Sequence, residues 1–313
     1  MEKNSKIFVA GHRGLVGSAI VRKLEELGYN NLVLKTRAEL DLMSQTAVAD
    51  FFKSENIDYV FLAAAKVGGI VANQKQKADF IYENLQIQSN IIFNAYKYGV
   101  KKLLFLGSSC IYPRNCAQPI KEEYLMTGEL EKTNDAYATA KIAGIKMCQS
   151  FNEQYGTNFI SVMPTNLYGP NDNFDLVSSH VLPALIRKFY EAKNNSSSPV
   201  ELWGTGAAQR EFLHVDDLAD AVVYLMNNYN DSAIVNIGTG EDLSIKELAL
   251  KIKDIVGYQG EIKWDSTKPD GTPRKLLDVS KLNSLGWKYK ISLEEGLKNT
   301  IEWFIENYNN IKK

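Results

Sequence analysis

Tyr137-Ala138-Thr139-Ala140-Lys141 places a phenol and an ammonium one helical turn apart, the spacing at which two side chains share a face. Free tyrosine loses its proton near pH 10, so proton exchange with a hydroxyl or ketone at neutral pH needs help. A nearby ammonium favours the phenolate and is expected to supply that help. Tyr-x-x-x-Lys occurs on many helices by chance. Here it gains weight from Gly107-Ser108-Ser109, which ends an apolar run at 103–106. Strand ends of open parallel sheets are where ligands bind, so Ser108 is placed to bond a substrate carbonyl.

A second spacing concerns phosphate. Gly11-x-x-Gly14-x-x-Gly17 follows an N-terminal apolar run at 7–10 and opens a helical period. Such glycines permit a tight turn and close approach of a pyrophosphate to the amides of the helix start. The next apolar run continues into Lys35-Thr36-Arg37 with no acid at its tip. An acid there would bond the 2′-hydroxyl of NAD. Arg37 instead, with Arg13 inside the loop, would clamp a 2′-phosphate, so NADP(H) is the expected cofactor. Its nicotinamide, when oxidised, would also favour the Tyr137 phenolate, and Lys141 can bond its ribose. Asp41 is placed to bond the adenine. Arginine is scarce, at seven of the 36 basic positions, which makes each one a question.

These groups need elements to hold them. Apolar runs at 7–10, 32–34, 59–64, 103–106 and 159–163 predict buried strands. Helical spacing over 15–27, 81–98 and 137–155 predicts the helices between them. Continuous apolar strands alternating with helices predict an α/β Rossmann-type parallel sheet, covered on both faces. The pattern loosens after Pro164. Asn194-Asn195-Ser196-Ser197-Ser198-Pro199 reads as a loop, and Ser244-x-x-Glu247 and Ser292-x-x-Glu295 read as capping boxes. The expected division is a cofactor domain over 1–165 and a smaller, mainly substrate-binding α/β domain over 166–313, with some chain returning to the first.

Glycine loop, serine and Tyr-x-x-x-Lys, in this order and across the whole chain, resemble the extended short-chain dehydrogenase/reductase superfamily. Longer strings narrow the resemblance. They are Ala63-Ala64-Ala65-Lys66-Val67-Gly68-Gly69-Ile70, Gly107-Ser108-Ser109-Cys110-Ile111-Tyr112-Pro113, Met163-Pro164-Thr165-Asn166-Leu167-Tyr168-Gly169-Pro170, Ser179-His180-Val181, Arg210-Glu211-Phe212-Leu213-His214-Val215-Asp216-Asp217 and Lys268-Pro269-Asp270-Gly271-Thr272-Pro273-Arg274-Lys275. Together they resemble the GDP-L-fucose synthase family. That resemblance implies NADPH-dependent 3,5-epimerisation and 4-reduction of GDP-4-keto-6-deoxy-D-mannose, in a cytoplasmic homodimer built on the two long helices.

A ketone at C4 acidifies the hydrogens on C3 and C5, so inversion needs a base on one face and an acid on the other. The resemblance implies Cys110 as base and His180 as acid, with Tyr137, Lys141 and Ser108 serving the reduction. It implies cofactor contacts from Gly11, Arg13, Gly14, Leu15, Val16 and Gly17, and from Arg37 and Asp41. Further contacts are implied from Ala64, from Leu106, Gly107 and Ser109, from Pro164, Asn166 and Leu167, and from Lys141 and His180. Substrate contacts are implied from Lys188, Trp203, Arg210 and Asp270. Arg210 suits a diphosphate because its fork matches two oxygens. Arginine is usual in the family where Lys188 stands, and Arg187 beside it is a possible substitute. Trp203 stacks on a ring or is a buried strand residue. His12 is read as a phosphate contact at most, His214 as an orienting residue at the domain junction, and Cys116 and Cys148 as core or surface residues.

Composition removes several classes. Lys plus Arg number 36 against 37 Asp plus Glu, too even for a general nucleic-acid binder. No apolar run is long enough to span a bilayer. Three cysteines cannot all pair, which fits a reducing compartment, and residues 1–6 show no leader pattern. No metal site is expected. Three rival readings remain. One is a C4 reductase, with or without epimerisation, of a related GDP-4-keto-6-deoxy sugar such as a heptose. Another is a dehydratase or 4-epimerase retaining NAD, against which Arg13, Arg37 and the Cys110/His180 pair count. The last is a non-catalytic NADP sensor, which would need neither Tyr137 nor Lys141.

Overall fold

The computed structural model describes residues 1–196, 198–268 and 270–311; Ser197 of the loop signal and Pro269 of the last string lie outside the described residues. The first half runs β1 (Ile7–Ala10), α1 (Leu15–Glu26), β2 (Leu32–Val33), α2 (Gln45–Glu55), β3 (Tyr59–Leu62), α3 (Ile70–Lys75), α4 (Lys77–Lys97), β4 (Lys102–Leu106), α5 (Asp135–Tyr155) and β5 (Phe159–Pro164). The second half runs β6 (Asn166–Tyr168), α6 (Val181–Asn194), β7 (Val200–Trp203), β8 (Gln209–His214), α7 (Val215–Asn228) and β9 (Val235–Ile237). It ends with β10 (Asp242–Ser244), α8 (Ile245–Val256), β11 (Ile262–Asp265), β12 (Arg274–Lys275), α9 (Ser280–Ser284) and α10 (Leu293–Ile311).

Six strands form one parallel sheet in the order β2-β1-β3-β4-β5-β9. Alternation along a strand explains its unbroken apolar runs. Ile7 and Val9 enter a core shared with α1 and α7, while Phe8 and Ala10 enter the opposite core with α2, α4 and α5. Each such Ile, Val or Phe side chain contributes about 1.5–3 kcal/mol by leaving water. α5 lies close on β4 because Gly144 has no side chain; a Cβ there would stand 2.4 Å from the Phe105 ring. Gln88 of α4 donates to the Ala140 carbonyl of α5 at 2.6 Å and joins the two long helices.

Some element ends differ from the periodicity. α4 begins at Lys77, a turn before the apolar spacing starts, because Lys77 is held by Asp135 at 2.8 Å and leaves no apolar signal. β3 stops at Leu62 where Ala63 and Ala64 turn beneath Gly11. The Ser244–Glu247 capping box is complete, whereas among the described residues Ser292 supplies only the forward bond, to the Glu295 amide at 3.3 Å.

β9 comes from beyond residue 166 yet completes the six-stranded sheet, and α7 packs on α1. α9 packs beside β9, and α6, α8 and α10 make a separate core that buries Phe189, Ile252 and Phe304. There β8 pairs with β6, β10 and β12. Glu211, fully buried on β8, binds these pieces together. Its carboxylate accepts from the amides of Thr239 (2.6 Å) and Gly240 (2.8 Å) after β9, and of Leu277 (3.0 Å) after β12. Burial pushes this carboxyl above its usual range, against the pull of those amides. Its backbone carbonyl accepts from Asn166 at 2.8 Å. No helix among the described residues is long and apolar enough to cross a membrane.

Glu211→Gln places an amide donor against buried backbone donors, so it should cost about 2–4 kcal/mol. Urea unfolding measures this; a loss below roughly 0.5 kcal/mol would show that the three amides find other partners.

Candidate active site

The cofactor side is built from backbone. Gly11 has φ +85°, and a Cβ on it would lie 2.8 Å from the Ala64 nitrogen. A Cβ on Gly17 would lie 2.1 Å from the Gly11 carbonyl oxygen. These two positions therefore demand glycine. Gly14 caps α1 with no side-chain bond, and the first turn holds no acid, so the leading amides of α1 are open to an anion. The Nδ1 of His12 is buried there with no partner. Ala64, Leu106, Gly107 and Pro164 lie at or just past the ends of β3, β4 and β5, on the same edge of the sheet.

The seven arginines now divide. Arg22, Arg114, Arg187 and Arg274 are ion-paired with carboxylates. Arg210 donates to backbone carbonyls of Gln209 and Asp270. Arg13 and Arg37 are exposed, and among the described residues neither has a hydrogen bond or an ion pair. Arg13 follows β1 and Arg37 follows β2, its neighbour in the sheet. Asp41 is also exposed and caps its own turn, accepting from the Met43 amide at 3.1 Å. An open helix start, an unpartnered His12 nitrogen and two free guanidiniums fit a dinucleotide carrying an extra phosphate.

The reacting side gathers at the end of β4. Ser108 caps a 3₁₀ turn, Ser109–Ile111, by accepting from the Cys110 amide at 3.2 Å. The Tyr137 hydroxyl is close enough to Ser108 for that side chain to favour its ionisation. Lys141 is buried and donates to the Leu106 carbonyl at 2.7 Å. Its ammonium lies 5.8 Å from the centre of the Tyr137 ring, and burial pushes it down to about 7. Burial also pushes the Tyr137 phenol well above its usual range, with the Cys110 sulfur adding to the rise. In the chain by itself, burial works against the phenolate that Lys141 and an oxidised nicotinamide would favour.

Cys110 moves the other way. Burial opposes its ionisation, but Lys275, Ser108 and Arg210 outweigh burial and hold the thiol below its usual range. The Lys275 ammonium is 3.5 Å from the sulfur. His180 caps α6, on a loop fastened to the Gly68-Gly69 turn by the Gly69 amide and Ser178 carbonyl at 2.9 Å. It is exposed, yet the protein gathered around its ring and the Lys275 charge depress the imidazole. Contact with water makes this a bias on proton sharing, not a source of stability.

Outward from this centre stand the remaining expected residues. Arg210 and Lys275 are register partners on β8 and β12. Asp270 accepts from the Thr205 amide (2.7 Å) and hydroxyl (2.8 Å), tying its loop to the end of β7. Trp203 is 55% exposed, which excludes the buried-strand alternative, and Lys268 lies 5.8 Å from its ring centre. Lys188 donates to the Glu201 carbonyl at 2.9 Å. Arg187 is no substitute for it: its guanidinium is spent on Glu191 (2.9 Å) and the Phe174 carbonyl (3.2 Å). Leu167 packs into the core behind the sheet. Buried His214 accepts from the Asp216 amide at 3.3 Å and caps α7. Cys148 is core and Cys116 is half-buried, and all three cysteines are free.

Two residues of consequence carried no sequence signal beyond membership of a string. Glu211 is a buried anchor among acids that usually face water. Lys275 is 165 positions from the cysteine it touches.

Comparison with known proteins follows the same lines. The profile described as "NAD dependent epimerase/dehydratase family" matches residues 7–238. GDP-L-fucose synthase 1 of Arabidopsis thaliana is 62% identical over 306 residues, covering 98% of this chain and 95% of that protein. GDP-L-fucose synthase of Escherichia coli (strain K12) is 56% identical over 311 residues, covering 96% and 97%. A GDP-L-fucose synthetase from Naegleria fowleri, solved bound to NADP, superposes with TM-score 0.93 at 31% identity, covering 100% of this chain and 98% of that one. A GDP-6-OMe-4-keto-L-xylo-heptose reductase from C. jejuni superposes with TM-score 0.93 at 47% identity, covering 98% and 99%.

Gly17→Ala forces the glycine loop away from α1. A backbone shift worth about 1–3 kcal/mol should weaken dinucleotide binding roughly tenfold or more. Fluorescence titration with NADPH reads this directly; unchanged affinity would mean the loop does not cradle the phosphates.

Proposed function

The chain belongs to the NAD dependent epimerase/dehydratase family, and from that premise we propose that it converts GDP-4-keto-6-deoxy-D-mannose to GDP-L-fucose by 3,5-epimerisation and 4-reduction. The observation that carries this reading is the gathering of the Cys110 thiol, with the Lys275 ammonium 3.5 Å from its sulfur, and the Tyr137 phenol around Ser108 at the end of β4. A reductase alone has no use for the thiol. The heptose reading rests on structures such as the C. jejuni reductase at 47% identity, below the 62% and 56% shared with the two fucose synthases.

NADP(H) is the cofactor, and when bound it supplies the hydride for C4. Gly11, Gly14 and Gly17, with Leu15 and Val16 at the start of α1, would hold its pyrophosphate. Arg13 and Arg37 would grip its 2′-phosphate and Asp41 its adenine. Lys141, held toward the Leu106 carbonyl, would meet its ribose. Gly107, Ser109, Pro164, Asn166 and Leu167 would flank its nicotinamide half.

The protein's own groups perform the proton chemistry. Ser108 orients the C4 ketone. The Cys110 thiolate removes a hydrogen from the carbon beside it; an S–H bond forms, the C–H bond breaks, and its electron pair passes to the C4 oxygen as an enolate. His180, as imidazolium, returns a proton to the same carbon on the other face. Its depressed affinity for that proton makes it a ready donor, and its place at the start of α6 adds to this. Once the thiol has released its proton to solvent and His180 has taken one from it, a second round inverts the other carbon. Tyr137 then protonates the C4 oxygen as the ketone is reduced. Its raised pKa keeps that proton in place until the oxyanion forms, as the reductive direction requires. Arg210 binds the diphosphate, with Lys188, Trp203 and Asp270 arranging the nucleotide.

In this reading the substrate domain begins at residue 166. Two copies pair through the outer faces of α4 and α5, where Tyr82, Phe93 and Tyr155 are exposed and Tyr96 stacks on Tyr155 at 4.2 Å. Three free cysteines suit a reducing compartment, the cytoplasm.

Incubation with the 4-keto sugar nucleotide in deuterated water tests the chemistry. Wild type with NADPH should give GDP-fucose with two carbon-bound deuteriums. Cys110→Ser should abolish deuterium uptake while still reducing the unepimerised ketone, and uptake at the normal rate would remove Cys110 as base. Tyr137→Phe should slow reduction about 10²–10⁴-fold and leave deuterium uptake in place. Full reduction by that variant would remove Tyr137 as donor. Arg37→Ser should raise KM for NADPH about 10–100-fold with little effect on NADH. An equal loss for both would mean that Arg37 does not read the 2′-phosphate.

A further inference from the structure

Lys275 is the one residue that touches the thiol yet has been given no work. It lies on β12 beside Arg210 of β8, so two cations stand on adjacent strands. Like charges at that distance repel unless an anion lies between them. Arg274, the preceding residue, is satisfied by Asp242 at 2.6 Å. Lys275 has no carboxylate partner among the described residues; the hydrogen-bond acceptor it meets is the Cys110 sulfur at 3.5 Å. An ammonium held against a sulfur in a half-buried cleft favours thiolate, because the Coulomb attraction is weakly screened there.

We propose that Lys275 is a positioning residue for the epimerisation, holding Cys110 as a thiolate aimed at the sugar. This rests on the reading of Cys110 as the base. The groups that face the sulfur are the Lys275 ammonium from β12, the Arg210 guanidinium from β8, the Tyr137 phenol from α5 and the Ser108 hydroxyl from its own turn. Arg210 has other partners, the backbone carbonyls of Gln209 and Asp270, and a diphosphate would claim it further. Tyr137, protonated, adds no positive charge. Lys275 therefore remains the counter-ion of the sulfur. The direction of the thiol shift agrees with this assignment: Lys275 is the largest of the influences that lower it. The same ammonium acts on His180 and disfavours imidazolium there. It thus biases both proton-transfer groups from one position, promoting a charged base and a readily discharged acid.

The test reads the thiol with and without the reaction. The pH dependence of Cys110 alkylation by iodoacetamide, followed by peptide mass spectrometry, gives the thiol midpoint with no substrate present. Deuterium wash-in to GDP-4-keto-6-deoxy-mannose without NADPH gives the epimerisation profile. Lys275→Met should raise the alkylation midpoint by about one unit or more and lower wash-in at pH 7 about tenfold. The rising limb of wash-in should move to higher pH in parallel. Lys275→Arg, which keeps the charge, should retain both profiles. An unmoved midpoint in Lys275→Met would overturn the proposal. So would a higher KM with an unchanged pH profile, which would leave Lys275 as a contact for substrate charge. A shifted midpoint in an enzyme whose wild type exchanges no deuterium would support the hold of Lys275 on the sulfur and overturn Cys110 as base.

Discussion

A buried carboxylate organises the C-terminal half of the molecule. Glu211 has no exposure to water, and its oxygens are filled by backbone amides from the segment after β9 and the segment after β12. β9 belongs to the six-stranded parallel sheet and β12 to the sheet around β8, so one side chain joins the two. The neighbours of Glu211 inherit that placement. Arg210 precedes it on β8, Asn166 donates to its carbonyl, and Lys275 stands two residues before the amide it accepts. The charged half of the cleft is assembled by satisfying one acid in the interior.

The cleft itself is governed by desolvation. Burial lowers Lys141 to about 7 and raises Tyr137, while the protein packed around the exposed His180 ring, with the Lys275 charge, depresses the imidazole. Each of these groups is driven toward its neutral form, as burial dictates. Cys110 is the exception because cations surround it. A cleft that raises its phenol and lowers its thiol moves two groups of similar intrinsic acidity apart, one toward acid and one toward base. That separation is what an enzyme needs if it must first pull protons from carbon and then give one to oxygen.

The arginines show the same economy on the cofactor side. Four neutralise carboxylates within the fold, and Arg210 is steadied by carbonyls. Arg13 and Arg37 are left uncommitted beside a helix start stripped of acids. Where most guanidiniums in a chain are consumed by structure, two left free at one sheet edge are informative.

Local pattern was sufficient for the parallel sheet, since a strand buried on both faces must be apolar throughout, and for the glycine loop, since its close approaches exclude any side chain. It was sufficient as well for the Tyr137–Lys141 pair, which one helix positions by itself. Long strings of residues marked Cys110, His180, Trp203 and Arg210, although not their surroundings. The ends of α4 and β3 were misread where polar contacts or crowding, and not periodicity, set them. The burial of the Tyr137 phenol, which works against the phenolate, was not legible because a sequence lists charges without their surroundings. Arg187 looked available until Glu191 and Phe174 were seen to hold it. The roles of Glu211 and Lys275 were decided by tertiary structure alone. Burial, counter-charge and the pairing of β8 with β12 are relations between distant segments, and they exist only once the chain has folded around them.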